Sequence, residues 1–519
     1  MWKDAIEELE HRRRIAQMGG GAAAIERRHI AGKMTARERI EYLLDEGTFV
    51  EVQEYVTSRI DDFGMAQRRV PGDGVVTGYG RIAGRLVFVS SEDFTVIGGT
   101  LGEYHAQKIA HIQDMALAAL APIIFLNDSG GARIEEGVSS LAGYSSIFLR
   151  NTKASGVIPQ IAVVLGPCCG GACYSPALCD FIFMVEDISS MFITGPGVVK
   201  AMVNEDITKE ELGGARLHAG KSGVAHFAYP DERSCLDGVC ALLSYLPEHC
   251  RQPYESACFF KQSLHPDSYE FADLCDIVPD NNRKPYDVKL VIENLVDCDS
   301  FFEVHKDFAM NAVVGFARIS GNVVGIVANQ PLVYSGSLDC DASDKMARFI
   351  RFCDCYDIPL ITLIDVPAFY PGKEQESRGI IRHGAKLLYA YSEATVPKIS
   401  LILRKAYGGA YIAMNSKKMG ADIVYAWPIA EIAVIGAEGA VEIIFKKKIR
   451  SAENPEQLQQ ELKKQYEERF MNPYLAAERG YVDEVIRPDE TRGKLIAALG
   501  MLSGKQEKQP WKKHGNIPL

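Results

Sequence analysis

The stretch RIAGRLVFVSSEDFTVIGGTLGEYHAQKIAHIQDMALAALAPIIFLND at residues 81–128 returns, without a gap, as RISGNVVGIVANQPLVYSGSLDCDASDKMARFIRFCDCYDIPLITLID at 318–365, a constant offset of 237. Arg81 falls on Arg318, Ile82 on Ile319, Gly84 on Gly321, Gly99 on Gly336, Leu101 on Leu338, Lys108 on Lys345, Pro122 on Pro359 and Asp128 on Asp365. Upstream, Ile40, Leu43, Asp45, Phe49 and Glu51 match Ile292, Leu295, Asp297, Phe301 and Glu303 at offset 252, so the first copy carries fifteen extra residues (252 minus 237), which fit a loop near Ser58 to Asp73. Downstream the offset is 238, joining Pro159 to Pro397, Ile161 to Ile399, Gly170 to Gly408, Gly171 to Gly409 and Ala172 to Ala410. A period of about 240 residues far exceeds that of solenoid repeats. Each copy is long enough to enclose its own core. The sequence therefore reads as two homologous domains, residues 1–270 and 271–519.

Within the first copy the apolar runs at Gly74 to Tyr79, Leu86 to Ser90, Ile123 to Leu126, Ile161 to Leu165 and Phe181 to Val185 have strand character. A long helical stretch runs from Gly102 to Ala119, and a Gly-Gly step opens a helix over Gly170 to Leu178. The second copy repeats this order. Ahead of the repeat, Trp2 to Met18 and Thr35 to Leu44 predict a helical N-terminal extension broken at Gly19, Gly20 and Gly21. Arg251 to Asp287, with Pro266, Pro279, Asp280, Asn281 and Asn282, suits a connector, and the polar Lys505 to Leu519 reads as an extended or mobile arm.

Composition narrows the function. With 519 residues, 47% hydrophobic and 24% charged, the chain resembles ordinary globular protein. A net charge of -11 leaves no basic footprint for a nucleic-acid partner, while local cations or helix N-termini still suffice for an anionic substrate. The thirteen cysteines form no C-x-x-C pair, so no metal is expected; they read as structural thiols in a reducing compartment. No apolar run reaches the roughly 18 residues of a membrane span. The expected location is the cytoplasm, or the periphery of a membrane complex.

The chemistry sits at two glycine pairs, each where a buried strand meets a helix: Leu165-Gly166-Pro167-Cys168-Cys169-Gly170-Gly171-Ala172 and Leu403-Arg404-Lys405-Ala406-Tyr407-Gly408-Gly409-Ala410. The first N–H groups of a helix lack intrahelical acceptors and carry the positive end of its dipole, and glycine lets a ligand approach the backbone closely. This is the pattern of an oxyanion hole, suited to an enolate oxygen. A second donor is expected from the loop after the preceding strand, Asp128-Ser129-Gly130-Gly131-Ala132 in the first copy. The second copy has Asp365-Val366-Pro367-Ala368-Phe369, where Pro367 has no N–H and Ala368 or Phe369 remains. The two sites should bind different groups. Gly-Gly also permits plain tight packing, but its recurrence with flanking loops favours the functional reading. Gly78 to Gly84 lacks dinucleotide-binding spacing. His105 and His383 are formal candidates for a general base, and both read as satisfied structural histidines.

At this point the chain resembles a known family: the carboxyltransferase subunits of biotin-dependent acyl-CoA carboxylases and decarboxylases, particularly propionyl-CoA carboxylase beta and methylmalonyl-CoA decarboxylase alpha subunits. The motifs are Gly32-Lys33-Met34-Thr35-Ala36-Arg37-Glu38-Arg39, Asn127-Asp128-Ser129-Gly130-Gly131-Ala132-Arg133, Met191-Phe192-Ile193-Thr194-Gly195-Pro196, Arg404-Lys405-Ala406-Tyr407-Gly408-Gly409-Ala410-Tyr411 and His514-Gly515-Asn516-Ile517-Pro518-Leu519. The resemblance implies an α/β fold of two tandem crotonase-like (ClpP/crotonase superfamily) domains, the first on the acyl-CoA side and the second on the biotin side. It implies active sites across a dimer interface in a hexamer of three dimers. The amides of Gly170 and Gly171 would hold the thioester oxygen and those of Gly409 and Ala410 the biotin ureido oxygen. Ser129, Gly130, Gly131, Ala132, Ala368, Tyr411 and Ile412 would face the substrates, with Ile412 where relatives tune acyl-chain selectivity. In the family mechanism biotin itself removes the α-proton, so no protein base is required.

No biotinyl Ala-Met-Lys-Met sequence is present. Biotin must therefore arrive on a biotin carboxyl carrier protein or domain, alongside a biotin carboxylase subunit or membrane decarboxylase subunits. The leading substrates are propionyl-CoA and methylmalonyl-CoA, in either direction. A biotin-independent enoyl-CoA hydratase or isomerase would need positioned Glu or Asp side chains, and two dissimilar holes argue against it. A non-enzymatic assembly subunit sits poorly with two intact Gly-Gly elements.

Overall fold

The structure, a computed structural model, describes residues 1–252 and 273–519. It divides into two compact units, Met1–Gln252 and Pro253–Leu519. The boundary expected near residue 270, and Pro266 of the expected connector, lie outside the described residues.

The first unit is built on a sheet of eight described strands: β1 (Val50–Glu51), β2 (Val75–Ile82), β3 (Arg85–Glu92), β4 (Ile123–Ser129), β5 (Gln160–Cys169), β6 (Phe181–Val185), β7 (Ser190–Phe192) and β8 (Phe227–Tyr229). Their order is β1-β2-β3-β4-β5-β6-β8, with β7 also paired to β5. β1, β2 and β3 pair antiparallel, and from β3 onward every pairing is parallel. The second unit repeats the plan with β9 (Phe302–Val304), β10 (Ala312–Ile319), β11 (Asn322–Asn329), β12 (Leu360–Val366), β13 (Lys398–Tyr407), β14 (Ile423–Ala426), β15 (Glu431–Ala433) and β16 (Glu484–Val485). The parallel strands are covered on both faces, which is why β4 and β12 are buried at every position and open on apolar residues, with the twin aspartates Asp128 and Asp365 near their ends.

Twin residues do the same work in both units. Asp45 accepts from the amides of Ala83 and Gly84 at the β2–β3 turn, and Asp297 accepts from Ser320 and Gly321 at the β10–β11 turn. Lys108 Nζ donates to the carbonyls of Gly72 and Val75, as Lys345 Nζ does to those of His305, Phe308 and Ala312. These buried ammonium groups close the start of each long helix onto its sheet. The extra residues of the first copy show in the registers Glu51↔Gly78 and Glu303↔Gly315, and form a loop carrying a 3-10 segment at Asp62–Arg68.

The N-terminal helices are Trp2–Gln17 and Ala36–Leu43, as the sequence predicts, with a further helix Ala22–Ile30 after the glycine break. Thr35 and Glu38 form a capping box that starts Ala36–Leu43. A helix the sequence reading did not draw, Val138–Ala154, lies between β4 and β5. The C-terminal arm has no regular structure and bonds to the helix Ile380–Glu393 through Gln509 and Lys512.

Candidate active sites at two glycine steps

β4 and β5 are adjacent and parallel, so the loops that follow them leave the same end of the sheet, where open α/β sheets place ligands. A register shift between Asn127 and Ser129 re-aims the chain there. Gly170 adopts φ +61° and opens a 3-10 turn, Gly170–Cys173, that runs into the helix Tyr174–Leu178. Gly408, its twin, has φ +56° and opens the helix Gly408–Ala413. In each case the left-handed glycine rotates the next peptides so that their N–H groups leave the strand ladder without intrahelical acceptors.

The two steps differ in the space behind and in front of them. A Cβ on Gly171 would lie 2.9 Å from the Tyr144 ring, so that ring forms the wall behind the first step. A Cβ on Gly409 would meet nothing within 4 Å, so the second step faces open space. Ala410 is buried, Tyr411 is half-buried with its hydroxyl pushed up to about 12 by burial, and Ile412 is 46% exposed.

The first flanking loop spends much of its hydrogen-bonding capacity on the Gly98–Gly99 turn and on itself. Gly130 N donates to Gly98 O at 3.0 Å, Gly131 N donates to Ser129 Oγ at 3.2 Å, and Ser129 Oγ donates to Gly99 O at 2.7 Å. Leu101 bridges to Ala132, and its twin Leu338 bridges to Phe369. Gly131, at φ +103°, lies so close to the first step that a Cβ there would come within 2.9 Å of Cys169 O. Loop and step therefore form one rigid surface. In the second loop, Ala368 O accepts from Leu338 N at 3.1 Å.

Behind these loops sit buried charges that sequence reasoning missed. Asp128 enters the first loop, and Arg39 Nη1 donates to its carboxylate at 2.9 Å. The same guanidinium donates to Leu165 O at 2.9 Å and to Glu232 at 2.7 Å, so one fully buried arginine ties β4 to β5 beside their register shift. Arg28 also donates to Asp128. In the second unit Asp365 is held by Arg404 at 2.9 Å and accepts from Lys405 N at 3.0 Å. Arg404 is the twin of Gly166, at offset 238. A Cβ on Gly166 would lie 2.0 Å from Asp128 Oδ1. The duplicated aspartate is thus neutralised from its neighbouring strand in one unit and from the N-terminal helix in the other. The signal was present in the motif containing Arg39, but its partners are 89 to 193 residues away.

Neither histidine candidate stands at a glycine step. His105 is fully buried, its Nδ1 3.0 Å from Asp73 O, and burial holds it well below its ordinary value. His383 Nδ1 lies 2.8 Å from Asp344. Burial keeps the Cys168, Cys169 and Cys173 thiols above their ordinary value, which makes them packing groups rather than nucleophiles. No group of metal-binding side chains occurs among the described residues. A cavity of about 940 Å³ opens beside the end of β13, with Arg404, Lys405, Tyr407, Tyr334 and Gly436 in its wall.

Two equivalent glycine steps stand at matching strand-to-helix turns of a duplicated, mostly parallel α/β scaffold, the architecture of an acyl-transfer class of enzyme rather than of a binding module. The chain belongs to the carboxyl transferase domain family, whose model matches residues 27–517, and it is a biotin-dependent carboxyltransferase. It is 55% identical to the propionyl-CoA carboxylase carboxyltransferase subunit of Haloferax mediterranei, over 100% of this chain and 99% of that protein. It is 52% identical to the methylmalonyl-CoA decarboxylase alpha subunit of Propionigenium modestum, over 99% of each. The transcarboxylase 12S structure, a hexamer with methylmalonyl-CoA bound, superposes with a TM-score of 0.94 at 50% identity, covering 99% of this chain and 98% of that one. The fold is accordingly the crotonase-like one that the motifs imply.

Proposed function

We propose that the protein moves a carboxyl group between biotin, carried on a separate protein, and the α-carbon of a short-chain acyl-CoA, with propionyl-CoA and methylmalonyl-CoA as the substrate pair. The observation that carries this reading is the pair of twin glycine steps, one walled by Tyr144 and one open in front of Gly409. In this reading the amides of Gly170 and Gly171 hold the thioester oxygen as it gains enolate charge. Donors fixed before the reaction begins need no reorganisation, and removing one costs about 2.7–4 kcal/mol of transition-state stabilisation. Arg39, Asp128 and Glu232 keep the strand ends from relaxing as that charge develops. The amides of Gly409 and Ala410 hold the ureido oxygen, and the open space before Gly409 fits a planar ring. When bound, carboxybiotin would supply the carboxyl group and, once decarboxylated, the base for the α-proton, while in the opposite direction biotin would accept the carboxyl group and return the proton. The chain's own residues bind, orient and exclude water, consistent with His105 and His383 being committed to structural partners.

Residues 1–270 form the acyl-CoA domain and 271–519 the biotin domain in this reading, with Ser129, Gly130, Gly131 and Ala132 lining the first site and Ala368, Tyr411 and Ile412 the second. Half-exposed Ile412 gives an apolar contact that admits short acyl chains beyond propionyl. The transcarboxylase 12S hexamer supports a homohexamer here. The Propionigenium modestum relative supports a second reading, in which the transfer runs as decarboxylation within a membrane complex. No helix among the described residues is long and apolar enough to cross a membrane. The test is biotin-dependent exchange of labelled carboxylate from methylmalonyl-CoA. Exchange that requires biotin supports the reading, and turnover of enoyl-CoA without biotin overturns it. The subunits that co-purify, a biotin carboxylase or membrane decarboxylase components, decide the direction.

A further inference from the structure

Glu92 ends β3 and its twin Asn329, at offset 237, ends β11. Both grip the peptide at the entrance to a flanking loop. Asn329 Oδ1 accepts from Asp365 N at 2.9 Å while its Nδ2 donates to Asp365 O. Glu92 Oε2 accepts from Asp128 N at 2.8 Å. An amide accepts and donates without net charge; a carboxylic acid has the same pair of capacities and a carboxylate has not.

A second observation points to the acid. His105 Nδ1 faces the carbonyl of Asp73, an acceptor, so the ring proton belongs on Nδ1 and Nε2 is an acceptor. That Nε2 is fully buried, has no hydrogen-bond partner and lies 3.8 Å from Glu92 Oε1. An ionised Glu92 would set lone pairs against lone pairs, whereas a proton on Oε1 turns a donor toward Nε2 across a separation longer than a hydrogen bond and removes that repulsion. The twin of His105 is Ala342, so the second unit has no such arrangement.

The groups facing this pair divide, with the Asp128 amide, the hydrogen-bonding Asn127 side chain and Arg39 favouring the carboxylate, and burial outweighing them. Glu92 meets the Asp128 carboxylate and the Asn127 side chain on β4, Tyr144 on the helix Val138–Ala154, Cys168 on β5 and Arg39 from the N-terminal helix. Arg39 is already committed to Asp128 and Glu232. Around His105 stand Arg133, Lys108 and Asp73, and the two cations disfavour an imidazolium. Burial, with the Asp128 charge adding to it, pushes the Glu92 carboxyl up to about 8.

We propose that Glu92 and His105 form a buried proton-holding pair with the proton on Glu92, and that this neutral pair is a positioning device for the Asp128 peptide and the Ser129–Ala132 loop during acyl-thioester turnover. The positioning role rests on the proposed use of the first glycine step. Loss of the proton puts a second negative charge beside Asp128 and slackens the loop.

The test combines infrared spectroscopy with pH-rate profiles of biotin-dependent methylmalonyl-CoA decarboxylation, using the full-length protein. The wild type should show the carbonyl stretch of a buried carboxylic acid, and Glu92→Gln should remove it. Wild-type kcat should fall at alkaline pH. Glu92→Gln, which keeps an acceptor for Asp128 N and an uncharged donor toward His105, should hold kcat within about threefold at neutral pH and lose the alkaline fall, and Glu92→Leu should lower kcat at least about tenfold at every pH. A wild type without the acid band overturns the pair. A Glu92→Gln profile with the same alkaline fall overturns the positioning role. A protein with the band but no biotin-dependent turnover at any pH overturns the positioning role together with the proposed function, and leaves the pair standing.

Discussion

Replacing Gly409 with alanine adds a methyl group where no atom beyond its own helical turn stands within 4 Å, at a residue whose φ is not in the left-handed region. The fold should accept it with a change in stability of about 0.5 kcal/mol or less. In the proposed reading the methyl group occupies space that the ureido oxygen crosses to reach the first N–H groups of the helix Gly408–Ala413. If the ureido oxygen must reach those groups, the substitution removes one donor's worth of stabilisation, about 2.7–4 kcal/mol, or 100- to 1,000-fold in kcat. The control is Gly171→Ala, whose methyl would lie 2.9 Å from the Tyr144 ring and should cost about 1–3 kcal/mol of stability by overpacking. The assay is biotin-dependent methylmalonyl-CoA decarboxylation with thermal unfolding on the same samples, and calorimetric titration with the acyl-CoA. Gly409→Ala should lose turnover while keeping its melting temperature and its affinity for the thioester. A Gly409→Ala protein within about threefold of wild-type kcat would refute the assignment of this step.

Arg39→Met should leave Asp128 and Glu232 buried without their shared partner and cost about 3–5 kcal/mol in urea unfolding, and Arg39→Lys should rescue little because one ammonium cannot span both carboxylates and Leu165 O. Gly166→Ala should destabilise strongly, since its methyl would lie 2.0 Å from Asp128 Oδ1, whereas Arg404→Met should weaken the second unit instead by releasing Asp365. Because the folded-state carboxyl of Glu92 is raised to about 8, its contribution is fully present below the ordinary carboxylate range and is lost as pH rises through about 8. The wild-type melting temperature should therefore fall across that window more than that of Glu92→Gln.

Much of the fold was legible because duplication aligns strand with strand: the registers of β2–β3 and β10–β11 and the buried lysines Lys108 and Lys345 lie where the offset of 237 puts them. The helix Val138–Ala154 was not legible, since its serines, glycine and threonine have low helix propensity and Val138, Leu141 and Leu149 are exposed apolar residues that blur its stripe. The short helix Ala22–Ile30 hid behind the glycine break because Gly21, at φ 91°, serves as its N-cap. Of the sites, the glycine steps could be read from strand, turn and helix order. The charges behind them could not, because ion pairs such as Arg39 with Glu232 leave no periodic trace in sequence. The bonding of Gly130 and Ser129 to the Gly98–Gly99 turn was equally hidden, as it depends on the close passage of a segment about 30 residues away.

The most direct measurement is a crystal structure of the full-length protein with biotin and a methylmalonyl-CoA analogue that cannot lose its carboxyl group. The thioester oxygen should lie about 2.7–3.1 Å from the amide nitrogens of Gly170 and Gly171, and the ureido oxygen at the same distance from those of Gly409 and Ala410. Either oxygen bound elsewhere, or either step occupied by a carbonyl of the chain itself, would contradict the account.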